Sequence, residues 1–335
     1  MALFSKELGI DLGTFFIRVF EGGQIILQEP TVAAIVTDEQ KMVAWGQEAQ
    51  DMMGRVPESL EITRPLSNGV IADYEVTEYM LEAVLKRLGG PMRIFRPRIM
   101  ITVPYGVTSV ESRAVHEAAL QAGSREAILI QQPLAAAIGV DLPIGTPSGN
   151  LILCLGAGAT QAAVMAMYGI VAADTLRAGG MALDEAIIGY VRKKYGLIIG
   201  QLTAEQVKIK IGAAVPQDEE MSIDIQGQDQ VSGLPRPVTL TTGEIVEALQ
   251  DPLADVVETA RRVLEKTPPE LVSDIIDRGV AVTGGGALLR GIDKLLTKEL
   301  GVPAYLVDDP TGCTAEGAEK GLKLYPLIRR NLVAV

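Results

Sequence analysis

Three glycine-rich bends carry the most chemistry in this chain, and each follows an apolar strand. They are Gly9-Ile10-Asp11-Leu12-Gly13-Thr14, the run from Leu151 to Thr160 that contains Gly156-Ala157-Gly158, and Val280-Ala281-Val282-Thr283-Gly284-Gly285-Gly286. A buried strand holds such a bend rigid. Where side chains are missing, backbone N–H groups can approach an anion closely. One bend near the start and another near the middle suggest a duplicated fold that grips one nucleotide between two halves. The second bend lacks the carboxylate of the first, with Cys154 standing where the first has Asp11.

The elements that must position these bends follow from patterning. Residues 16–20 alternate apolar and polar, a Glu-Gly-Gly-Gln turn follows at 21–24, and 25–27 return as a strand. Apolar spacing predicts a helix over 76–87 and a second over 109–123 capped by Ser109. Between them lies a buried strand at 98–103 that Pro104 stops, and strand 128–130 and helix 134–140 come after. The second half repeats the theme. Strands flank the bend from 151 to 173, and helices are expected at 184–195 and at 203–213 with Thr203 as N-cap. A strand pair over 221–240, helices over 243–249 and 252–265, and a strand over 279–283 complete the series. Strands alternating with helices on short links mean α/β layers.

Composition bounds the function. The 335 residues suffice for about two domains. At 48% hydrophobic and 21% charged, the chain can bury substantial cores. A net charge of −12 argues against nucleic acid, which needs clustered Lys and Arg. The two cysteines, Cys154 and Cys313, form no metal or disulfide pattern, which fits a reducing cytosol. The single histidine, His116, excludes a multi-histidine metal site and reads as an exposed helical residue. No signal peptide is visible. Residues 142–173 carry no charge, but Pro143, Pro147, Asn150, Gln161 and several glycines read as a loop and two buried strands, not as a membrane span.

Six ordered segments carry a family resemblance. They are Arg64-Pro65-Leu66 with Gly69 to Tyr74, Gln132 to Gly139, Asp184 to Ile188, Tyr190 to Tyr195, Thr267 to Leu271, and Thr283 to Gly291. Through them the chain resembles the actin superfamily and, within it, the MreB family of bacterial actin-like proteins, over almost its whole length. The resemblance implies an α/β, actin-like fold, a duplicated ribonuclease H-like architecture of two lobes and four subdomains around a central nucleotide cleft. On that pattern residues 1–140 form the first lobe, 141–310 the second, and 311–335 a C-terminal helix that returns to the first. It implies ATP or ADP with Mg²⁺ in the cleft and self-assembly into filaments, with antiparallel double protofilaments as one form. It also implies a peripheral place on the inner face of the cell membrane, beside the membrane proteins of cell shape and wall synthesis.

Carried onto this sequence, the resemblance makes Asp11 the residue that holds the cation through water, and Gly13, Thr14, Phe15 and Phe16 the first phosphate turn. Gly156, Ala157 and Gly158 form the second. Gly180, Glu205, Gln206, Val207 and Lys208 would face ribose and adenine, and Gly284, Gly285, Gly286 and Ala287 the adenosine or α-phosphate. Gln132 would position the attacking water. Several positions depart from the family pattern. Phe15 and Phe16 replace a small residue and Asn, so their rings either crowd the phosphates or pack under the sheet. Cys154 replaces an Asp, and a thiol cannot replace carboxylate oxygen for hard Mg²⁺. Ala157 replaces a glycine, Ala159 a threonine and Gln161 a glutamate, and Met181 stands where an acid is usual. Gln132 replaces a glutamate and cannot accept the water's proton. Impaired hydrolysis follows.

The loop holding Met92, Ile94 and Phe95 among Arg87, Arg93, Arg96 and Arg98 suits an anionic lipid surface, and Met1, Leu3 and Phe4 offer a second anchor. Other readings of the chain are an active sugar kinase or ATPase of the superfamily, a chaperone-type ATPase domain, and a non-polymerising regulatory partner of a conventional relative. The kinase lacks a catalytic aspartate in the expected loop. The chaperone reading lacks room for a peptide-binding domain.

Overall fold

The computed structural model describes residues 6–89 and 96–334. Two five-stranded sheets built on one plan dominate it. In the first, strands Glu7–Leu12, Phe16–Glu21 and Gln24–Pro30 form an antiparallel meander, and Arg98–Val103 and Glu126–Gln131 then add in parallel on the other side of Glu7–Leu12. In the second, Asn150–Leu155, Thr160–Ala166 and Gly169–Leu176 form the meander, and Val280–Thr283 and Ala304–Leu306 add in parallel beside Asn150–Leu155. Strand order and sense are the same in both, so the duplication expected from the repeated bends is a property of the fold.

The strands that receive parallel neighbours are apolar runs, because helices cover both faces of such a sheet. Ile10, Ile101, Ile152, Leu153 and Val282 have no solvent exposure. Each half has its own core. A third core lies between the sheets. It joins Met100 and Ile130 of the first to Ile152, Ala163 and Ala281 of the second through helices Gln132–Gly139 and Cys313–Lys323.

Those two helices meet through small residues. A Cβ added to Gly317 would lie 1.7 Å from the carbonyl oxygen of Ala135, and one on Gly139 would lie 1.9 Å from that of Cys313. Helix Cys313–Lys323 also presses on strand Glu7–Leu12, where a Cβ on Gly9 would come within 2.3 Å of the Ala315 carbonyl oxygen. The C-terminal helix thus packs on the first sheet although it follows the second in sequence.

Each meander is followed by a smaller inserted sheet. Ala33–Val36 pairs with Lys41–Trp45 and Leu60–Thr63 in the first half. Ser222–Asp229 pairs with Leu197–Ile198 and Pro235–Thr241 in the second. Helix boundaries differ from expectation where caps compete. Thr108, not Ser109, caps helix Ser109–Gln121, in a reciprocal box with Glu111. Gly200, not Thr203, precedes helix Gln201–Ile211, and Thr203 lies inside its first turn. His116 is half-buried on its helix instead of exposed. Among the described residues no helix is long and apolar enough to cross a membrane.

Candidate functional site

The three bends converge on one cleft of about 410 Å³, a volume that suits a small-molecule ligand. The first two bends are equivalent hairpins. Gly13 N–H donates to the Phe16 carbonyl at 3.1 Å, and Gly156 N–H to the Ala159 carbonyl at 3.0 Å. They face each other closely. A Cβ on Gly158 would stand 2.4 Å from Thr14 Oγ1, an atom that already accepts from Gly69 N–H at 3.0 Å. Gly284, at φ +85°, brings the third bend against the Leu155 carbonyl.

The duplication makes Asp11 and Cys154 counterparts. Each lies two residues before the hairpin glycine, and each has a threonine as parallel neighbour. Thr102 Oγ1 donates to Asp11 Oδ1 at 2.8 Å. Thr283 pairs in register with Cys154, and its buried Oγ1 meets the Cys154 thiol where its counterpart meets a carboxylate. The second half therefore keeps the hydroxyl but has lost the carboxylate it would serve. Burial raises the Asp11 carboxyl above its usual range, against Arg18 at 3.8 Å, Thr102 and Gln132, which favour its ionised form. Burial pushes the Cys154 thiol up to about 12, so it is neutral at physiological pH and no ligand for a hard cation. A resident Mg²⁺ does not fit this donor set. Among the described residues no cluster of three or more His, Cys, Asp or Glu could hold a metal.

Phe15 and Phe16 both line the cleft, so neither is confined beneath the sheet. An arginine covers each ring, Arg64 over Phe15 at 3.9 Å and Arg18 over Phe16 at 5.1 Å. In the sequence Arg64 is legible only as part of one segment of the family resemblance. In the structure all three of its guanidinium nitrogens are buried without a hydrogen-bond partner. A buried guanidinium without hydrogen bonds is costly, and burial outweighs the charge of Glu205 that favours it. Arg64→Met should therefore stabilise the nucleotide-free protein by about 1 kcal/mol, seen as a higher urea midpoint; a lower midpoint would mean that the stacking on Phe15 outweighs the desolvation.

The remaining expected residues divide by helix face. Glu205 and Lys208 line the cleft with Gly180. Gln206 is exposed outside it, and Val207 is fully buried in the second-half core, because neighbouring residues on a helix are about 100° apart. Ala287 is likewise turned into that core, while Gly284, Gly285 and Gly286 line the cleft. Met92, Ile94 and Phe95, with Met1, Leu3 and Phe4, lie outside the described residues. Two arginines that flank the loop already have acidic partners, Arg87 with Glu29 at 2.6 Å and Arg98 with Glu126 at 2.8 Å.

Lys208 is held by Asp184, whose Oδ1 lies 2.6 Å from its Nζ, and it donates to the Gly180 carbonyl at 2.8 Å. Burial raises Asp184 to about 6 despite this partner. Its pKa in the folded protein thus exceeds the ordinary 3.8, and the folded state binds this proton first as pH falls. Asp184 should add stability as pH drops from about 6 towards 4, and the added stability disappears as pH rises back through 6. In thermal melts across this window, the difference between the wild type and Asp184→Asn should follow that slope; a flat difference would place the proton elsewhere.

A family model described as MreB/Mbl protein matches residues 5–329. Cell shape-determining protein MreB of Escherichia coli strain K12 is 44% identical over 328 residues, 96% of this chain and 94% of that protein. Cell shape-determining protein Mbl of Bacillus subtilis strain 168 is 43% identical over 316 residues, 94% of this chain and 95% of that one. The crystal structure of MreB 5 of Spiroplasma citri bound to AMPPNP superposes with a TM-score of 0.91 at 32% identity, covering 98% of each chain. Its ADP-bound form gives the same score. The MamK double helical filament, at 22% identity and a TM-score of 0.81, shares the fold over 96% of this chain and 99% of its own.

Proposed function

Because the chain belongs to the MreB/Mbl family and has its actin-like fold, we propose that it is a cytoskeletal protein that forms filaments on the inner face of the cell membrane. There it organises cell-wall synthesis and cell shape. Between its lobes it holds an adenine nucleotide, which it hydrolyses slowly. The observation that carries the nucleotide reading is the convergence of three glycine bends on one cleft whose floor offers Asp11 and no matching carboxylate at Cys154.

The roles divide as follows. The paired hairpins present backbone N–H groups to the phosphates, with the glycines permitting close approach. Glu205 and Lys208 on one helix face, and Gly284 to Gly286 opposite, would hold the nucleoside. A divalent ion would arrive with the nucleotide, since the paired hairpins supply a single carboxylate, Asp11, and Asp184 is held by Lys208. The AMPPNP- and ADP-bound relatives support the cleft as a nucleotide site. The filament-forming MamK supports assembly.

Electron microscopy of the full chain with ATP, with and without vesicles of anionic lipid, tests the reading. Filaments that gather on the vesicles, and pelleting that Phe95→Asp abolishes, are expected. Monomers in ATP would instead favour a regulatory partner of a conventional relative. Equal pelleting of the variant would remove the loop's role.

A further inference from the structure

A chain of polar contacts crosses the cleft floor from one half of the molecule to the other. The backbone N–H of Tyr105, just beyond strand Arg98–Val103, donates to Gln161 Oε1 at 2.6 Å. Gln161 stands on the second sheet and is 1% exposed. Its Nε2 donates in turn to Oε1 of Gln132. Thr175, the register partner of Gln161, donates from Oγ1 to the Tyr105 carbonyl at 2.8 Å. The same turn of the first half is therefore gripped twice by two neighbouring strands of the second.

Amide chemistry makes this chain directional. Each glutamine has one carbonyl oxygen and one NH₂ group. Tyr105 occupies the oxygen of Gln161, which turns the NH₂ of Gln161 towards Gln132. The oxygen of Gln132 is occupied in its turn, and its NH₂ is left for Asp11, whose ionised form it stabilises. A residue that orients an attacking water needs an acceptor aimed at that water. Gln132 has a single carbonyl oxygen, and the bond from Gln161 fixes the direction in which it points.

We propose that Gln161 is a positioning residue that locks the Gln132 amide in a non-catalytic orientation. Nucleotide turnover is thereby held slow by a side chain rather than only by the missing carboxylate. In the step it restrains, the water oxygen bonds to the terminal phosphorus of ATP and the bond to the bridging oxygen breaks. ADP leaves, and the water proton passes to the released phosphate. The inference rests on the nucleotide reading above.

The test uses Gln161→Ala, Gln161→Glu, Gln132→Ala and the Gln161→Ala/Gln132→Ala double variant. Gln161→Glu keeps an acceptor for Tyr105 but cannot donate to Gln132, so it serves if the alanine variant folds poorly. Single-turnover phosphate release from ATP should rise about tenfold in either Gln161 variant, a fraction of a full acid–base contribution. AMPPNP affinity should stay within about twofold of the wild type, since the lock acts on the reaction step and not on binding. The gain should vanish in the double variant. Unchanged release at unchanged affinity, or a gain that survives without Gln132, overturns the proposal. Urea unfolding of the wild type, the two single alanine variants and the double variant, all nucleotide-free, probes the pair without any turnover. Non-additive losses support the Gln161–Gln132 pair and additive losses refute it. A wild type that binds no AMPPNP would defeat the nucleotide reading, and the unfolding cycle would still test the pair.

Discussion

Replacing Cys154 by Asp should change the metal dependence of this protein more than any other single substitution. The new carboxylate would stand at the counterpart of Asp11 and accept from Thr283 Oγ1, which now meets only the Cys154 thiol. It would also lie within electrostatic reach of Asp11 in a buried floor. Two such carboxylates repel, so the variant without ligand should lose about 3 kcal/mol of stability. Mg²⁺ with ADP should reverse that loss. Nucleotide affinity in the variant should rise at least about tenfold on adding Mg²⁺, which is about 1.4 kcal/mol, against less than about threefold in the wild type. Calorimetric titration of ADP with and without Mg²⁺ measures both. Cys154→Ser tests whether polarity alone suffices, and it should resemble the wild type. A wild type already as dependent on Mg²⁺ as the variant would refute the view that the missing carboxylate sets the behaviour of this cleft.

The second large effect lies away from the cleft, where helix Cys313–Lys323 meets helix Gln132–Gly139. Gly317→Ala places a methyl 1.7 Å from the Ala135 carbonyl oxygen and 2.7 Å from Gly139 N. Both atoms belong to backbone and cannot rotate away. Either the helices separate or the variant does not fold, at a cost of at least about 3 kcal/mol. Because these helices form the core between the two sheets, separation should also loosen the cleft. Gly189→Ala is the contrast. Gly189 lies inside helix Gly180–Tyr195, and nothing is within 4 Å of an added Cβ. This variant should gain about 0.5–1 kcal/mol from helix propensity. Melting curves of the two variants should move in opposite directions. A tolerated Gly317→Ala would show that the helix pair can slide.

Both expectations depend on the duplicated plan, and much of that plan was legible in the sequence. Each glycine bend follows an apolar strand, and a buried strand into a tight turn leaves a local signature in residue types. The contrast of Asp11 with Cys154 could be read the same way, since each precedes a bend glycine by two positions. Local patterning could not say which side chains meet. Arg18 faces Asp11 through the antiparallel register of a hairpin, and the alternation of residues 16–20 held part of that signal. Lys208 and Asp184 come from different helices, and nothing in either segment announces the pair.

The sequence by itself determined the α/β class, the three bends, the family resemblance and the absence of a carboxylate at the counterpart of Asp11. Each of these is written in residue identity and short-range spacing. The tertiary structure alone decided that Val207 and Ala287 are buried in the second-half core. It alone placed an arginine without a hydrogen-bond partner on Phe15 and passed an amide chain from Tyr105 through Gln161 to Gln132. The physical reason is separation along the chain. Periodicity fixes which face of an element turns inward, but the partner across that face is set by how distant elements dock.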